Sequence, residues 1–168
     1  MTTQLGLHLP VTGAFALPFA AYYIFLSARV VVQRLKQRVA IGDCVPSSPA
    51  SSSPSPSPPP TNTSNTTTPS GIQTSTDPLL LTTRSQQNFA EFVPLALLLS
   101  TIAEANNAIT PRALKLALST LLAARVLHVE AGILREGAMG LGRPVGFYST
   151  LGVIGWLGWA AGRGVWGL

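Results

Sequence analysis

Residues 15–32 read FALPFAAYYIFLSARVVV, and Gln33, Arg34, Lys36 and Arg38 follow at once. Apart from Arg29 the run is uncharged, and at about 1.5 Å per residue a helix through it comes close to crossing the hydrocarbon core of a bilayer. The bases behind it form a stop at the membrane edge. A cleaved signal peptide starts basic and has a shorter apolar core. MTTQLGLHLP carries no positive side chain, so the run is expected to remain as an anchor.

Three further apolar runs repeat the pattern: Phe89–Ala105, extended to a full span if its helix begins near Arg84, then Leu114–Leu134, then Val145–Trp166. Asn106, Asn107, Thr110 and Pro111 make one tight break, and Gly137, Gly140, Gly142 and Pro144 the other. Short links make consecutive helices antiparallel neighbours. The expected fold is all-α: an integral membrane four-helix bundle with up-down topology and spans at about 11–35, 82–105, 112–134 and 144–166. Pro94 cannot donate to the carbonyl of Ala90, which predicts a bend in the second helix.

Composition agrees. Only 10% of the 168 residues are charged, against about 25% in a soluble domain. Mean hydropathy is +0.36, even though residues 46–70 (PSSPASSSPSPSPPPTNTSNTTTPS) are almost wholly Ser, Pro and Thr. That segment has no apolar surface to offset its ordering entropy, so 46–76 is expected to be a disordered loop insertion. The net charge of +5 comes from 11 Lys and Arg, which sit singly or flank apolar runs. That is the positive-inside pattern and no nucleic-acid footprint. The first and third loops hold Arg34, Lys36, Arg38, Arg84, Arg135 and Arg143, and the opposite face holds Arg112, Lys115 and Arg163. Both termini are therefore expected outside the cytosol, with the long loop in it and its sequons at Asn62 and Asn65 unmodified. The single cysteine, Cys44, excludes an internal disulfide and is read as a free thiol.

Ionisable groups within a span cost about 2.5 to 3.5 kcal/mol or more each, and by default they mark a site. Arg84, Asn88 and Glu91 are spaced i, i+4, i+7 on one helical face; Gln86 lies off to its side. Arg125 and His128 share a face of the third helix, and Arg29 ends the first. All fall in the cytosolic half, where one cavity can collect them. Arginine forks suit carboxylates, a carboxylate suits an ammonium, and Asn or Gln suits amides. The inventory fits a peptide-like zwitterion. It does not fit a metal, for which no ligand cluster is present, and no nucleophile or nucleotide motif is found either. Other readings stay open: an Arg84–Glu91 ion pair, Arg125 neutralising Glu130 or bonding a carbonyl, a structural hydrogen bond at His128. Glu104 reads as a solvated helix end. Gly158 and Gly162 form a GxxxG pair for packing within or between chains, and Trp156, Trp159 and Trp166 an interfacial belt.

RSQQNFAEFVPLALLLSTIAEANN from Arg84 resembles the signature of the MAPEG family, membrane-associated proteins in eicosanoid and glutathione metabolism. The pattern R-x-x-x-N-x-x-E-x-x-P falls on Arg84, Asn88, Glu91 and Pro94. Ser27-Ala28-Arg29, RVAIGD and ARVLHVEAGIL extend the likeness, which is greatest to the bacterial-type and microsomal glutathione transferase-like members. The resemblance implies a homotrimer in the endoplasmic reticulum, with glutathione as co-substrate in clefts between subunits. Arg84, Asn88 and Glu91 would hold it with help from Gln86 and Arg29, beside Arg125 and His128. Arg143 would stabilise the sulfur. His128 and Phe92 stand where the enzymes often carry aromatic or tyrosine residues. The implied function is a transferase or peroxidase acting on a lipophilic small molecule. The alternative is a non-catalytic member that binds membrane lipid or assists a partner protein.

Overall fold

The computed structural model describes residues 9–39, 77–134 and 140–166. Over these it is all-helical: α1 Pro10–Gln37, α2 Pro78–Ala105, α3 Pro111–His128, a π-helical turn Val129–Ile133, and α4 Gly142–Trp166. α1, α2, and α3 together with its π turn are long and apolar enough to cross a membrane; α4 has spanning length, at 25 residues. The long loop, its sequons, Cys44 and Arg135 lie outside the described residues.

Local chemistry sets the helix starts. Asp77 caps α2 by accepting from the N–H of Leu79 at 2.9 Å, and Thr110 caps α3 by accepting from Ala113 at 3.4 Å; each cap is followed by a proline at the first helical position. The Asp-Pro signal at 77–78 starts the second helix a turn earlier than its apolar pattern suggests. α1 starts at Pro10 with no capping side chain of its own. Its first N–H groups are met from across the bundle, where the Glu104 carboxylate accepts from Val11 and Thr12, each at 2.8 Å. Glu104 is therefore a half-buried cap rather than a solvated helix end, because orphan N–H groups and the positive end of the helix dipole draw a carboxylate.

The pairings fix the topology. Glu104 ties the start of α1 to the end of α2, while Gln37 donates to Asp77 at 3.0 Å and ties their other ends. At that second end, the start of α4 meets the end of α3. Successive helices are thus antiparallel, and α1 packs on α2, α2 on α4, and α3 on α4. Phe89 anchors the α1–α2 seam, its ring centroid 6.3 Å from Phe19, 5.4 Å from Tyr22 and 6.2 Å from Tyr23. Phe19, Leu26, Val93, Leu118, Leu121 and Leu157 complete the buried core. The hydroxyls of Thr82, Ser85, Ser100 and Thr101 donate to carbonyls one turn back, which satisfies these four groups within the helix.

Within the chain, tight packing by glycine falls at Gly142 and Gly146 rather than at Gly158. The nearest atom to a methyl built on Gly158 is a Leu99 carbon at 3.9 Å. On Gly146 the same methyl would lie 2.5 Å from the Ala124 carbonyl oxygen, and on Gly142 2.5 Å from that of Leu127. The sequence GRPVG therefore supplies the close α3–α4 contact, small residues one turn apart letting two backbones meet. Trp156 and Trp159 are on the surface, as an interfacial belt requires.

Candidate functional site

The polar groups gather where α1 and α3 end and α2 and α4 begin. On α2, Phe89 faces α1, so Asn88, about 100° around the helix, is turned toward α3 and α4. Gln86 goes the other way and donates to the Tyr23 hydroxyl at 2.9 Å. Arg84, Asn88, His128 and Arg143 line a single open cavity of about 640 Å³, closed by Leu80, Ile133, Phe147 and Tyr148. That volume is in the usual range of small-molecule sites, about 300–1,000 Å³. Among the described residues no carboxylate lines it.

Four of the expected residues therefore meet, and four do not line the cavity. Glu91 is exposed further along α2. Neither Arg84 nor Glu91 forms an ion pair among the described residues: the pair that is present joins Arg29 Nη1 to Glu130 Oε1 at 2.6 Å, with side chains 32% and 42% exposed. Arg29 borders a separate cleft of about 510 Å³ between α1, the start of α2 and Leu134. Gln86 stays with Tyr23. Arg125 sits behind the wall, only 1% exposed. It donates from Nη1 to Asn88 Oδ1 at 2.6 Å and from Nη2 to the Gly146 carbonyl at 3.1 Å, and its guanidinium lies 5.2 Å from the Phe92 ring centroid. Of the partners open to Arg125 it thus takes the carbonyl, since Glu130 is held by Arg29.

His128 makes a structural hydrogen bond. Its Nδ1–H donates to the Arg143 carbonyl at 2.8 Å; a carbonyl only accepts, so Nδ1 carries the proton. The π turn begins at the next residue, closed by Leu134 N–H to Val129 O at 3.0 Å. Such turns insert an extra residue and often occur at functional sites. Here the turn carries Glu130 to Arg29 and sets Gly132 against the backbone of Arg143, where a methyl would stand 2.7 Å from its nitrogen. The expected third helix is thus α-helical only to His128, and the turn after it seats Arg143 at the cavity mouth.

Sequence reasoning missed Tyr148, 70% exposed on α4, and Phe147, both of which line the cavity. The spacing of Phe147 four residues from Arg143 on a helix was the available signal. The cavity offers two guanidinium forks, a neutral amide and a phenol, with lipid-facing surface beside them. It suits an anionic, water-soluble ligand that meets an apolar one.

The MAPEG family model matches residues 12–163, so the chain belongs to the MAPEG family. No curated protein and no solved structure matches it.

Proposed function

We propose that the chain binds glutathione at this cavity and activates its sulfur to attack a lipophilic electrophile or hydroperoxide dissolved in the surrounding membrane. The observation that carries this reading is the convergence of Arg84, Asn88, His128 and Arg143, from three helices, on one cavity with no lining carboxylate among the described residues. Glutathione carries two carboxylates, which the arginine forks match. Its ammonium suits Glu91, which a single chain leaves exposed. A homotrimer would cover that face and bring a neighbour's Arg29 and Gln86 toward it.

A free thiol has a pKa of about 8.5, and each unit of lowering needs about 1.4 kcal/mol of preferential thiolate stabilisation. The role of Arg143 is to supply that stabilisation in a poorly hydrated cleft while the proton passes to water. In conjugation the sulfur forms a bond to carbon as the leaving group departs with its electron pair. With a hydroperoxide the sulfur takes the terminal oxygen, an alcohol leaves, and a second glutathione converts the sulfenic acid to disulfide and water. We place the bundle in the endoplasmic reticulum with both termini outside the cytosol, so that the cavity opens to cytosolic glutathione.

The engagement of Arg29 by Glu130 and of Gln86 by Tyr23 favours a second reading, a non-catalytic member that binds lipid or assists a partner protein. Titration of the detergent-solubilised protein with glutathione, followed by heat and by thiolate ultraviolet absorbance, separates the two. The enzyme gives binding with a thiolate signal, and Arg143→Ala abolishes conjugation while retaining binding. Binding without conjugation across a broad electrophile panel establishes the second reading, and absence of binding overturns the first.

A further inference from the structure

Arg125 is a buried cation inside the bundle, and no carboxylate among the described residues pairs with it. Glu130 pairs with Arg29, and Glu91 is exposed on α2. What Arg125 does have is the Asn88 side chain at 2.6 Å and the Gly146 carbonyl at 3.1 Å. A guanidinium has five N–H donors and no acceptor. Asn88 must therefore turn its oxygen to Arg125, which settles the orientation of an amide whose two ends are otherwise interchangeable. The amide nitrogen is left on the cavity side, with no partner among the described residues.

From this we propose that Arg125 is a positioning residue: it locks the Asn88 amide so that the cavity meets an N–H donor, and thereby selects a carboxylate of the ligand at that point. At this point of the wall the donors are Asn88 Nδ2 and the Arg84 guanidinium, with Arg143 lining the same cavity. A ligand ammonium, or an ester in place of the carboxylate, is disfavoured there. A buried cation one bond behind the amide strengthens the preference, because its field is poorly screened in a low dielectric. This deepens the glutathione reading and rests on it for the identity of the ligand, but the lock itself does not.

Asn88→Asp tests it. The substitution keeps an oxygen for Arg125, gives that cation a counter-charge, and replaces the cavity-facing N–H donors by a second oxygen. The expected result is a split: a thermal midpoint in detergent equal to or above that of the unsubstituted protein, with glutathione affinity reduced at least about tenfold, the scale of one lost hydrogen bond to a charged group. Arg125→Met, which frees the amide to turn, is expected to weaken glutathione binding in the natural background and to add no further loss in Asn88→Ala; Arg125→Lys restores part of it. Glutathione diester is expected to bind weakly to the unsubstituted protein and to discriminate little between it and Asn88→Asp. Undiminished glutathione binding by Asn88→Asp overturns the proposal, as does a further loss from Arg125→Met in the Asn88→Ala background. If the unsubstituted protein binds no glutathione, the functional reading fails, and the midpoints still decide the lock: Asn88→Asp less stable than its parent overturns it.

Discussion

His128 Nδ1 stands 2.8 Å from the carbonyl oxygen of Arg143, so the last residue of α3 holds the first turn of α4 at the residue assigned to sulfur activation. Gly132 completes the seat by allowing the backbone of Arg143 to lie against the π turn.

His128→Ala should lose the hydrogen bond, about 0.5–1.5 kcal/mol, together with the packing of a buried ring. His128→Asn, which keeps a donor near the same place, should recover part of it. Thermal unfolding in detergent measures the stability, and the glutathione thiolate absorbance reports whether Arg143 has moved. Equal midpoints for the Ala variant and its parent would show that the contact contributes nothing.

Gly146→Ala should destabilise by about 1–3 kcal/mol, the usual cost of forcing a methyl into a packed contact, here against the Ala124 carbonyl and His128 Cβ at 2.5 and 2.6 Å. Gly155→Ala meets nothing within 4 Å and should be neutral or gain up to about 1 kcal/mol in helix propensity. The two midpoints, measured side by side, should differ with that sign.

Glu104→Ala should cost about 1–2 kcal/mol, the scale of a lost helix cap, and should speed hydrogen exchange at the amides of Val11 and Thr12, which donate to it. Glu104→Gln keeps an acceptor and should fall between. Unchanged exchange at both amides would remove Glu104 from the role.

The Arg29–Glu130 pair is part-exposed on both sides, at 32% and 42%. A double-mutant cycle should give a coupling of only about 0.2–1 kcal/mol, smaller at high salt. A coupling well above that would mean the pair is covered by something further, such as a second copy of the chain.

Topology is open to a direct check. In sealed microsomes, protease added from the cytosolic side should cut within residues 46–70, and the sequons at Asn62 and Asn65 should carry no glycan. Protection of that segment together with glycosylation would invert the orientation and move the cavity to the lumen.

Much of this was legible in the residues. The apolar runs yield the helices because crossing lipid demands local backbone hydrogen bonding, which a continuous stretch satisfies on its own. Caps such as Asp77-Pro78 are local too. The i, i+4 spacing of Arg84 and Asn88 correctly puts them on one face, since helical period alone decides that. The partners of the charges were not legible in the same way. Glu130 lies on the third apolar run near Arg125, yet it joins Arg29, 101 positions away. Glu104 looks like a free end and caps a helix 93 positions earlier.

The sequence by itself determined that the chain forms long apolar helices with Arg84 and Asn88 on one face of the second and Arg125 and His128 on one face of the third. Period and hydropathy are properties of neighbouring residues, so no fold is needed to read them. Only the tertiary structure decided which carboxylate meets which guanidinium, which glycines let α3 and α4 touch, and which way the Asn88 amide points. Those outcomes depend on how each helix is rotated about its axis and on the π turn after His128, both settled by packing against neighbours distant in the chain.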